Sequence, residues 1–80
     1  MYNGHRSWNA WNVALWIGND EPLYRLAMEC LDHPKVNRNK RGIAHATRLF
    51  MRLMGGEKTP DGAIYNALCV REALTGLIED

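Results

Sequence analysis

Three breaks decide what this chain can fold into. Gly18-Asn19-Asp20-Glu21-Pro22, the isolated Pro34, and the run from Gly55-Gly56 to Thr59-Pro60-Asp61 each interrupt a helical pattern. Glycine ends a helix by adopting positive φ, whereas proline cannot continue one but fits its first turn. Between the breaks, apolar residues recur at three- and four-residue spacing, and no stretch alternates with period two over the length of a strand. The pattern predicts an all-α domain of four helices, over about 8–17, 20–32, 39–54 and 60–77, joined by short loops within a single domain 1–80.

Local chemistry sharpens these boundaries. Ser7 is placed to cap the first helix and Gly18 to terminate it. Asn19 or Asp20 caps the second, Glu21 complements its dipole, and Pro34 stops it. Thr59-Pro60-Asp61 reads as the start of the fourth helix, with threonine as cap and proline in the first position. The core expected from the spacing is Trp8, Trp11 and Leu15 from the first helix, Leu23 and Leu26 from the second, Ile43, Phe50 and Leu53 from the third, and Ile64 and Leu68 from the fourth. A chain of 80 residues buries only about 60–65% of its unfolded surface, so indoles of roughly 150–250 Å² each are expected inside. The alternative for this stretch is one exposed indole, Trp16 foremost, acting as a protein-binding hot spot.

Composition excludes several classes. The apolar share of 46% belongs to a globular chain, and no apolar run approaches the roughly 20 residues of a membrane span. With no export signal, cytoplasmic residence is the expectation. Cys30 and Cys69 make no disulfide framework, and Cys30 with His33 is one close ligand pair where a structural zinc site has two, so no metal is expected. No phosphate-cradling glycine loop, nucleophile elbow or zinc-protease motif is present, so neither an enzyme nor a cofactor is expected.

The net charge of +1 conceals an asymmetry. Arg41, His45, Arg48 and Arg52 fall on one side of the third helix, with Lys40 just before them, a basic face suited to an anionic partner. Asp20, Glu21, Glu29 and Asp32 form an acidic alternative along the second helix, able to imitate phosphate toward a positive channel. The sequence does not choose between them. The broad apolar surface of the last helix adds a homodimer to the expected partners.

The segment Tyr2-Asn3-Gly4 … Ser7-Trp8-Asn9-Ala10-Trp11-Asn12-Val13-Ala14-Leu15-Trp16-Ile17 … Asn19-Asp20-Glu21 … Leu23-Tyr24 resembles a motif in small proteins encoded by bacteriophages, prophages and plasmids, some associated with antirestriction genes. The resemblance covers about the first third of the chain and carries no catalytic residue. It implies a mobile-element protein that inhibits a host defence system, of anti-CRISPR or antirestriction type. Such a protein would bind a defence complex stoichiometrically, blocking nucleic-acid access or a conformational change. The alternative is a small nucleic-acid-binding regulator using the basic helix 39–54.

Overall fold

The computed structural model describes residues 2–33 and 40–79. Among these described residues are four helices: α1 (Trp8–Asn19), α2 (Glu21–Leu31), α3 (Lys40–Met54) and α4 (Ala67–Ile78). No strand occurs among the described residues, only two isolated bridges, Tyr2 with His5 and Lys58 with Ile64. The expected connection over 35–39, with a helix start at Asn39, lies outside the described residues.

Capping explains most of the boundaries. The Ser7 hydroxyl accepts from the Ala10 amide at 3.1 Å. Asp20 serves two helices, since its own amide donates to the Trp16 carbonyl at 2.9 Å and its carboxylate accepts from the Leu23 amide at 3.2 Å. Gly18 is therefore not the terminator expected of it. The helix runs through it to Asn19, whose side-chain amide donates to the Leu15 carbonyl at 2.8 Å and completes the last turn. Helix α3 stops at Gly55-Gly56 as expected, with Gly56 at φ +83°.

The fourth helix begins later than its cap-like sequence predicts. Thr59 does accept an amide, from Ala63 at 3.0 Å, but Gly62 donates to the Thr59 carbonyl at 2.8 Å and closes a turn instead of a helix. The chain then runs back on itself, with Thr59 donating to the Ala63 carbonyl at 2.7 Å and Tyr65 to the Glu57 carbonyl at 3.0 Å. This folded loop puts Tyr65, only 2% exposed, into the core at 6.1 Å from the Phe50 ring. Burying an aromatic outweighs a helix-start signal worth about 1 kcal/mol. Asn66 is the true cap, accepting from the Cys69 amide at 2.9 Å.

The core is built from Ala10, Val13 and Ile17 of α1, Ala27, Cys30 and Leu31 of α2, Ile43, Ala46 and Phe50 of α3, and Cys69, Val70, Ala73 and Leu74 of α4, with Ala63 and Tyr65 from the loop. Ile43 and Phe50 are buried as expected, and Leu23 and Leu26 pack partly against them. The other expectations are corrected. Trp8 and Leu15 are exposed and Trp11 is half-buried, because α1 turns its Ala10–Val13–Ile17 stripe inward; small residues there let neighbouring backbones approach closely. Leu53 is 65% exposed, since Met54 rather than Leu53 completes the inner face of α3. Ile64 is exposed because it belongs to the loop, and Leu68, at 52%, sits on the outer side of a helix whose inward residues are Cys69, Val70, Ala73 and Leu74.

Candidate interaction surface

The outward face of α1 collects aromatic area. Trp8, Trp11 and Leu15 lie three and four apart and therefore share one side of the helix. Tyr2 joins them, its ring 5.1 Å from that of Trp11. A tight hairpin holds Tyr2 there: Asn3 and Gly4 take φ +46° and +86°, while Tyr2 and His5 exchange backbone hydrogen bonds of 2.6 and 2.7 Å. Two central residues with positive φ are the signature of the turn that Asn-Gly favours. Beyond it, His5 Nδ1 lies 3.2 Å from Glu72 Oε2 and Arg6 Nε 4.0 Å from Glu72 Oε1, tying the N-terminal segment to α4. The aromatic face is thus positioned at both ends, and Leu15 and Trp16 line a groove of about 300 Å³ beside it.

A second side of α1 is fully committed inside the molecule. The Asn9 side chain makes two hydrogen bonds to one residue, donating to the Ile64 carbonyl at 2.9 Å and accepting its amide at 2.8 Å. Asn12, 1% exposed, donates to Asp61 at 2.9 Å and accepts from the Thr59 hydroxyl at 2.6 Å. The Trp16 indole donates to the same Asp61 oxygen at 2.9 Å. These two donors, Asn12 first and Trp16 second, hold the Asp61 carboxyl below its ordinary range. Burial, with Asp20 as a lesser cause, raises the Tyr65 phenol, and burial, with Glu29, raises the Cys30 thiol. The interleaved asparagines of the N-terminal motif are therefore a clamp on the 56–65 loop.

The charged candidates separate. Arg48 and Arg52 are exposed on α3, whereas His45 is half-buried with its ring 5.1 Å from that of His33. The side chains of Lys40 and Arg41 lie outside the described ones. On the acidic side, Asp20 is consumed as a cap and Glu21 pairs with Arg25. Glu29 and Asp32 are exposed, but Arg25 stands on the same helix side and breaks any continuous acidic stripe. Among the described residues, no group of three histidine, cysteine or acidic side chains is arranged to hold a metal ion, and no helix is long and apolar enough to cross a membrane. Spacing alone groups Trp8, Trp11 and Leu15 on one side of α1 but does not supply the direction they face.

A family model described as "Family of unknown function (DUF7249)" matches residues 1–80. The chain belongs to this family. The DUF7249 match spans all four helices, the aromatic face and the clamped loop together. No curated protein and no solved structure matches the chain.

Proposed function

We propose that this protein is a non-enzymatic binding module that inhibits a host defence complex by stoichiometric attachment, with the Tyr2–Trp8–Trp11–Leu15 face as its principal contact. The supporting observation is that Trp8 stays 40% exposed in a chain short of core material, alongside exposed Tyr2 and Leu15. Tryptophan and tyrosine dominate the energetics of protein interfaces because they cover large areas with few rotatable bonds. The assignment to host defence rests on the resemblance of the N-terminal motif to mobile-element proteins.

The test is phage plating on hosts carrying CRISPR–Cas or restriction systems, with and without the protein. Restored plating, lost in Trp8→Ala at unchanged fold, is the expected result. An anchor of this kind contributes about 2 kcal/mol, roughly thirtyfold in affinity. Failure to restore plating in such hosts rejects the inhibitor reading, and full activity of Trp8→Ala rejects the face. Capture of duplex DNA with a steep salt dependence would favour the regulatory alternative through Arg48 and Arg52.

A further inference from the structure

A groove of about 390 Å³ runs between α3 and α4, lined by Ala44, Thr47, Arg48, Ala67, Leu68 and Arg71 and by no residue of the aromatic face. Its floor is apolar, with Leu68 half exposed in it. The Thr47 hydroxyl is occupied by the Ile43 carbonyl at 2.8 Å. The polar groups left to a visitor are two exposed guanidiniums. Among the described residues, Arg6 lies beside Glu72 and Arg25 pairs with Glu21, while Arg48 and Arg71 stand in no ion pair.

We infer that this groove docks an acidic segment of a partner protein, one apolar side chain seated on Leu68 and Ala44 and flanking carboxylates paired with Arg48 and Arg71. Charge complementarity selects the sign of the occupant, since planar guanidiniums hold carboxylates bidentately. The exposed leucine selects a polypeptide over a nucleic-acid backbone, which would satisfy the arginines and leave Leu68 uncovered. The adjoining cleft of about 500 Å³ shares Leu68 and Arg71, and there His5 and Arg6 already occupy Glu72.

Selection of a random peptide library on the full 80-residue chain tests this. The expected clones carry acidic residues on both sides of an apolar one. They weaken by more than about tenfold against the doubly exchanged protein Arg48→Glu/Arg71→Glu, because like charges then face each other. Both arginines are exposed, and far-ultraviolet circular dichroism checks the fold. Leu68→Ser, which leaves both charges in place, is expected to weaken the same clones. Trp8→Ala is expected to leave them unchanged, so failure of this inference is distinct from failure of the α1 face. The inference is overturned if no clone is enriched, if clones lack acidic residues or ignore both groove variants, if Trp8→Ala abolishes them, or if single-stranded DNA competes on equal terms.

Discussion

Replacing Asn12 with alanine tests the clamp between α1 and the 56–65 loop. Donor chemistry admits one arrangement of this side chain. An ionised Asp61 can only accept, so the Asn12 amide nitrogen faces it, and the Asn12 carbonyl is left to accept from the Thr59 hydroxyl, which itself accepts from the Ala63 amide. Alanine removes the acceptor from the hydroxyl of Thr59, a buried residue 4% exposed. Leaving such a group unpaired costs about 1–3 kcal/mol. Asp61 loses its first donor as well, so the loss at neutral pH includes the part of its carboxyl's lowering that Asn12 supplies. An 80-residue domain has roughly 4–12 kcal/mol of total stability, so the expected loss is a large fraction of it. The assay is urea unfolding followed by tryptophan fluorescence and circular dichroism, where the midpoint should fall at constant slope. In a thermal melt, a loss of about 2 kcal/mol lowers Tm by roughly 8–16 °C. A double-mutant cycle with Thr59→Val should return a coupling of about 1 kcal/mol. An unmoved midpoint, or strictly additive single and double variants, would refute the reasoning.

Three further outcomes are expected. The Asp61 carboxyl is lower in the folded than in the unfolded chain, so its contribution to stability is present above the ordinary carboxylate value and is lost as pH falls through the folded one; Trp16→Phe should move its NMR titration upward and Asn12→Ala further, and an unchanged titration would remove the clamp as the cause. Asn66→Ala should destabilise by about 1 kcal/mol in urea, as loss of a helix cap does, whereas no effect would mean that α4 begins elsewhere. Gly76 lies in α4 with open space where a Cβ would stand, so Gly76→Ala should stabilise by about 0.5–1 kcal/mol in the same assay, and a loss of stability would contradict that open environment.

The helix count was legible because the breaks are chemical. Proline at the start of α2 and the glycine pair after α3 act through backbone geometry that no tertiary contact has to supply. The inward side of α1 was not legible. Trp8, Trp11 and Leu15 repeat with the same intervals as Ala10, Val13 and Ile17, two residues apart in phase and therefore on opposite sides of the helix. Hydrophobicity favours the first set, while close packing against α4 favours the second. The start of α4 was misread for a related reason: Thr59 performs a cap-like bond, but to a turn whose partners, Asn9 and Asn12, are about fifty positions earlier. Of the candidate sites, the exposed side of α3 with Arg48 and Arg52 follows from helical spacing alone, whereas Arg71 of α4 does not. The apolar floor between Arg48 and Arg71 depends on how α3 meets α4, which spacing within either helix does not express.

The pair of bonds between Asn9 and Ile64 has a consequence for assembly. Where Lys58 and Ile64 face each other, the Ile64 amide and carbonyl point away from the bridge, as they do on the last strand of a sheet. Open groups of this kind invite another chain to add a strand, the usual route to ordered aggregation. Asn9 presents an amide of matching polarity and takes both positions. A side chain from a helix thus substitutes for a missing neighbour strand and closes the Ile64 edge of the loop to β-addition.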